Sequence, residues 1–314
     1  NISKDIEHLA QLLQPAKIPP SPSSPASMQT DCVQPFLFEH LDIRGALVSL
    51  DAAWLDLTAG RDYPPQVRDL FGEMSAVTCL ITANLKQPGR MTFQLRGDGA
   101  VNLLVLDCDE QLRLRGMARS QESPLAESLT ERQLLGDGQL LLTLDAPDMR
   151  QPYQSLVPLE GDSIAAIFEH YLNLSEQQPT RLLLAADGRR AVGLFVQKLP
   201  DADSKDADGW NRVQHLLDTL TPAEHLAHVP LDLLRRLFPE EDVRVFAPRS
   251  VTHHCPDDPE KIHAMLRGLG RAECDAILRD KGEIHVRDDI CNRDYRFDAA
   301  AVEVEVVERQ RAVV

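Results

Sequence analysis

Between Phe36 and Gln197, apolar and polar side chains trade places at every second residue in run after run. This is the period of a strand with one covered face. Alternation marks Arg44–Leu50, entered through Phe36–Leu41, then Met91–Leu95 and Gln111–Gly116, while Gln139–Leu144, Tyr153–Leu159, Thr180–Ala185 and Ala191–Gln197 are further strand runs. Val101–Leu106 is apolar throughout and also predicts a strand. Gly97-Asp98-Gly99, Gly136-Asp137-Gly138 and Asp187-Gly188 carry the Asp-Gly signal of hairpin turns. Helices interrupt the strands. Asp51–Thr58 is one, and a longer one runs from Pro64-Pro65 to Leu85. Its apolar residues cover more than one face, which predicts burial between other elements. A third, Ile164–Leu174, has Asp162 or Ser163 as its N-cap. Strands with a few helices predict an α+β domain on a largely antiparallel sheet over residues 31–199.

The pattern then changes. Pro200–Gly209 is acidic and poor in helix formers, and reads as a boundary. Beyond it, Val213, Leu216, Leu217 and Leu220 have helical spacing. Thr221-Pro222-Ala223-Glu224 is a capping box with proline at the first helical position. Pro230 opens another helix to Leu237, stopped by Pro239. Residues 200–240 thus predict a helical linker of short pieces, each burying little surface and open to local unfolding. A small C-terminal module is expected over 241–314. It has an extended run at Glu240–Phe246, helices at Pro259–Leu269 and Ala272–Leu278, and strands at Glu283–Val286, Tyr295–Phe297 and Val302–Val306. Its core is thin, and modules this small often rely on a metal or a partner. Residues 1–30 differ from the rest: two turns of helix at Ile6–Leu13, then a Pro/Ser run. They read as a disordered tail or an upstream remnant, with Met28 as a natural start.

Composition narrows the function. Of 314 residues, 33 are basic and 49 acidic, a net charge of −16. This argues against nucleic-acid and anionic-membrane partners, both of which need dense positive charge. No run of apolar residues is long enough for a membrane helix, and the N-terminal stretch lacks the apolar centre of a signal peptide. Six cysteines are too few for a secreted disulfide scaffold, so a reducing cytoplasm is expected. Cys32, Cys79 and Cys108 stand singly, and Cys79, within the long helix, reads as a small buried hydrophobe. Gly97-x-Gly99 is no phosphate loop, because no helix follows it.

Candidate chemistry gathers between His253 and Cys291. That stretch holds Cys255, Cys274 and Cys291 with His253, His254, His263 and His285. His253-x-Cys255 and Asp288-x-x-Cys291 are two pairs of metal-ligand type separated by a helical span, as a tetrahedral zinc site requires, but each pair lacks one cysteine.

Several short motifs, in order along the chain, carry a resemblance. They are Phe38-Glu39 with Arg44-Gly45, Asp62-Tyr63-Pro64, Gln94–Gly99 followed by Asn102-Leu103, and Arg115–Arg119. They continue in Leu159–Asp162, Ser175–Arg181, Glu241–Val243, Gly282–Ile284 and Tyr295–Phe297. From about Phe36 to Phe297 the chain resembles the family of redox-regulated heat-shock chaperones named for a mass of 33 kilodaltons. The resemblance implies an ATP-independent holdase of the bacterial cytoplasm that binds unfolding client proteins and is commonly a homodimer when active. It also implies a four-cysteine zinc site, Cys-x-Cys then Cys-x-x-Cys. Oxidation turns that site into two disulfides, releasing zinc and unfolding the C-terminal domain and linker. Here His253 and Asp288 occupy two of the four cysteine positions, so the two family disulfides are out of reach.

Three readings of the site stay open. His253, Cys255, Asp288 and Cys291 bind zinc as a mixed set, with His254, His263, His285 or Cys274 able to replace Asp288. Alternatively the metal is lost and the module stands on its own core. Or Cys255 and Cys291 act as one redox thiol pair, whose bond would tie the two ends together rather than release them. The function expected is a chaperone with an altered switch, and not an enzyme. The alternatives are a constitutive, metal-independent protein-binding module and a thiol oxidoreductase. Glu283 is the one attractive base for a catalytic zinc.

Overall fold

The computed structural model describes residues 30–85, 87–121, 129–257 and 259–303. The Pro/Ser tail and the helix expected at Ile6–Leu13 lie outside the described residues. The chain divides into two compact units, with the boundary along the chain between His254 and Cys255.

The first unit holds two six-stranded sheets. In one, β1 (Cys32–Phe38), β2 (Ile43–Leu50), β9 (Ala191–Lys198) and β8 (Thr180–Ala186) lie side by side, all antiparallel. The other has β5 (Arg113–Ser120), β4 (Val101–Cys108), β3 (Arg90–Arg96), β6 (Gln139–Asp145) and β7 (Tyr153–Val157) in that order, again antiparallel. Helices α1 (Ala52–Thr58), α2 (Pro65–Ala83) and α4 (Ile164–Glu176) lie in chain order between the sheets, and α3 (Glu131–Leu135) lies between β5 and β6. From Val67 to Thr82, α2 is buried at nearly every position, as its all-round apolar pattern predicts. Its three buried hydroxyls are satisfied within the helix. Ser75, Thr78 and Thr82 each donate to the carbonyl four residues back, at 2.7 Å. Leu70, Phe71, Met74, Val77 and Leu80 join one core with Phe93, Leu95, Leu142 and Phe168.

Two Asp-Gly turns, Gly97–Gly99 and Asp187-Gly188, close hairpins as expected. Gly136-Asp137-Gly138 does not, because it joins α3 to β6. The Thr130/Gln133 capping box starts α3 and competes with strand pairing there. Gly136 sits at φ +63°, and a Cβ on it would stand 2.4 Å from Asp98 Oδ1, so only glycine fits.

The acidic stretch after β9 is folded, not a loose spacer. It contains a short helix, α5 (Ala202–Lys205), with Ala202 buried. Its carboxylates have partners: Asp203 takes Lys198 Nζ at 2.6 Å, and Asp206 takes Arg212 Nη2 at 3.0 Å. Helices α6 (Gly209–Leu217), α7 (Pro222–Ala227) and α8 (Pro230–Leu237) follow. Trp210, Val213, Leu217, Leu233, Leu234, Leu237 and Phe238 pack onto Phe36, Phe38, Ile43, Leu47, Leu194 and Val196, the outer face of the first sheet. Both faces of β2 and β9 are therefore covered, and nearly every residue in them is buried.

Three more short strands return to the first unit's sheets. β10 (Val243–Val245) and β11 (Arg249–Ser250) pair with β1, and β12 (Thr252–His253) runs parallel to β5. Main-chain pairing at these sheet edges carries the first unit to His254, beyond the 241 boundary that composition suggests.

The second unit has α9 (Pro259–Leu269), α10 (Arg271–Lys281), a hairpin of β13 (Ile284–Asp288) and β14 (Arg293–Phe297), and α11 (Ala299–Val302). Its core is Ile262, Leu266, Cys274, Ile284, Phe297 and Val302. The strand expected at Val302–Val306 begins instead as α11, because Asp298 caps a helix by accepting the N–H of Ala301. Its remainder, from Val304, lies outside the described residues.

Candidate functional site

Cys255 and Cys291 are joined by a disulfide across a sequence separation of 36, with their Cα atoms 5.4 Å apart, well inside the range such a bond needs. The hairpin builds one side. In the β13–β14 register Asp288 faces Arg293, leaving residues 289–292 as the loop. Asp288 Oδ1 shapes that loop by accepting the N–H groups of Ile290 at 3.0 Å and Cys291 at 3.1 Å. The segment at Cys255 is held from the same hairpin. Arg293 Nη2 donates to the Cys255 carbonyl at 2.8 Å, and Arg293 Nη1 lies 3.3 Å from Asp257 Oδ1. Tyr295 donates its hydroxyl to the same carboxylate oxygen at 3.0 Å. One covalent bond and three polar contacts therefore clip the start of the unit to its hairpin.

The remaining candidates are dispersed. His253 belongs to β12 in the first unit, opposite Leu114. The rings of His263 and Phe297 meet edge to face. His285 Nε2 lies 2.7 Å from Asp294 Oδ1, and this contact, with Arg287, holds the Asp294 carboxyl below its usual range. Cys274 is a core residue, its Sγ 3.7 Å from the Leu266 carbonyl oxygen. Glu283 pairs with Arg296. Among the described residues, no three His, Cys, Asp or Glu side chains are grouped to hold a metal.

A second feature lies in the first unit. The apolar outer face of the β1–β2–β9 sheet is closed by α6 and α8, and α7 is tied down beside them. Arg190 makes that tie. Its Nη2 lies 2.6 Å from Asp51 Oδ2, and its Nη1 donates to the Leu226 carbonyl at 2.7 Å. No sequence pattern marks Arg190, Arg293 or Tyr295 as anchors. Their partners are 36 or 38 residues away, except Asp51 at 139, and no local period marks such distances.

An apolar sheet face under short helices is thus followed by a small unit closed by a disulfide. The family model described as "Hsp33 protein" matches residues 31–298. The 33 kDa chaperonin of Methylobacillus flagellatus is 39% identical over 276 residues, 87% of this chain and 94% of that protein. That of Nitrosococcus oceani is 39% identical over 284 residues, covering 90% and 97%. The crystal structure of the 33 kDa chaperonin from Thermotoga maritima has the same fold, with a TM-score of 0.76 at 21% identity, covering 90% of this chain and 99% of that one. The chain belongs to the Hsp33 family.

The family binds zinc, but the residues in place here do not fit the ion. Both sulfurs are bonded to each other, so neither is a thiolate ligand. Asp288 Oδ1 accepts two N–H groups of its own loop, and no third His, Cys, Asp or Glu side chain among the described residues completes a metal-holding group.

Proposed function

We propose that this chain is an ATP-independent holdase of the cytoplasm, binding unfolding client proteins, with a switch altered from that of its relatives. The observation that carries the reading is the apolar face of the β1–β2–β9 sheet, covered only by short helices between Gly209 and Leu237. Each helix buries a few side chains, so the cover can leave at a cost far below global unfolding. A face so exposed fits the apolar segments of a denatured client. The active form is proposed to be a homodimer, as in the family.

The alteration lies in the second unit. With the bond between Cys255 and Cys291 in place, oxidation closes this unit instead of opening it. Exchange with a dithiol reductant breaks the Sγ–Sγ bond and leaves two cysteine thiols and the reductant's own disulfide. The unit then rests on its six-residue core. Reduction and heat therefore favour the open form. The test is light scattering of a thermally unfolding client without nucleotide. The reduced protein should suppress aggregation at least as well as the oxidised one, and better as temperature rises. Strict dependence on ATP would overturn the holdase reading. Full activation by peroxide alone at moderate temperature would overturn the altered switch.

A further inference from the structure

The capping box that starts α7 is present as the sequence predicts. Thr221 Oγ1 accepts the Glu224 N–H, and the Glu224 carboxylate takes the Thr221 N–H. What holds this helix to the sheet is less ordinary. The only residue α7 buries is His225, which is 2% exposed. A leucine would fill such a position without cost. Instead the imidazole is shut in with its Nε2 lacking any hydrogen-bond partner, a choice that leaves a buried polar atom unpaid by any contact.

The charges around it make protonation worse. α7 packs against β8 and β9. Arg190, at the head of β9, is the charged group that acts on His225, and it repels an imidazolium. The other charges on those strands are committed elsewhere. Arg181 pairs with Glu169 and Asp218, Lys198 with Asp203, and the Asp187 carboxylate takes the N–H groups of Arg189 and Arg190. Asp51 is bound to Arg190. On α7 itself, Glu224 faces its cap, with His228 and Arg236 near it. Burial, and then Arg190, push the imidazole down to about 4 from an ordinary 6.5.

We propose that His225 is an acid-sensitive anchor, and that protonation releases α7 from the sheet and loosens the helical cover over the client-binding face. The sign follows from linkage. The docked form needs neutral His225, so its advantage is complete above pH 6.5 and is lost as pH falls toward 4. Between pH 7.5 and pH 5.0 the undocking equilibrium should rise about 30-fold. That this exposes a client site rests on the holdase reading above; the undocking itself does not.

Hydrogen exchange of the oxidised full-length chain, expressed as protection factors for the amides of α7, tests the anchor at pH 7.5 and 5.0. In the unmodified protein, opening of α7 should increase about 30-fold at pH 5.0. In His225→Phe it should change little. His225→Gln, polar but not titrating, serves if the phenylalanine variant folds poorly, and should likewise be insensitive to acid. An equal rise in the unmodified protein and the variants, or no rise in the unmodified protein, overturns the proposal. Client capture is measured in parallel. If α7 opens in acid yet no client binds, the holdase reading fails and the acid anchor stands.

Discussion

The two units solve the same problem with different means. The first surrounds α2 with two sheets and buries a continuous apolar core. It can absorb a misfit. Glu73 on α2 is pushed up to about 8 by burial, and then by the negative charges of Glu131 and Asp69. The second unit has six buried core residues and replaces the missing bulk with a covalent clip. In a thin core each constraint is a large fraction of the total stability. Conformational control is therefore cheapest in the second unit and in the short helices that cover the first.

The largest effect should come from the clip. Replacing both cysteines, Cys255→Ser/Cys291→Ser, should cost the second unit about 4 kcal/mol for a loop of this length. Far-UV circular dichroism and exchange should show the second unit unfolded and the first intact. If both units melt together at an unchanged temperature, the comparison breaks. Next is Leu266→Ala, a core truncation worth about 3 kcal/mol. It should unfold the second unit, whereas Leu80→Ala, of similar local cost, should only lower the melting temperature of the first.

Glu73→Gln sharpens the contrast from the other side. The folded form favours protonated Glu73, so that stability is present below pH 4.5 and is lost as pH rises toward 8. Relative to the unmodified protein, the variant should gain on the order of 4 kcal/mol at pH 8 and nothing at pH 4, read by denaturant titration. Asp288→Ala should be the smallest, about 1 kcal/mol from two loop hydrogen bonds. It should leave the zinc content of purified protein unchanged; loss of stoichiometric zinc would make Asp288 a ligand instead.

Much of the first unit could be read from the chain because its signals are local. Alternation gave the strands, the Thr221 box gave α7, and the all-round apolar run gave a buried α2. What escaped was non-local. The covering role of α6–α8 depends on which sheet face they meet. The return of β10 to β12 depends on edge pairing far along the chain. The acidic run before Trp210 looked like a linker because sequence cannot show that Lys198 and Arg212 neutralise it. At the candidate site, Cys255 and Cys291 were legible as a pair from their positions in the family motif. The Arg293–Asp257–Tyr295 support was not, since contacts across 36 and 38 residues carry no periodic mark.

The Cys255–Cys291 bond closes the second unit. Exchange protection of Cys255–Glu303 in oxidised protein, in reduced protein, and in reduced protein with zinc tests it directly. Protection should be highest in the oxidised form, fall on reduction, and stay low when zinc is added. Highest protection in the reduced, zinc-supplied protein would contradict it.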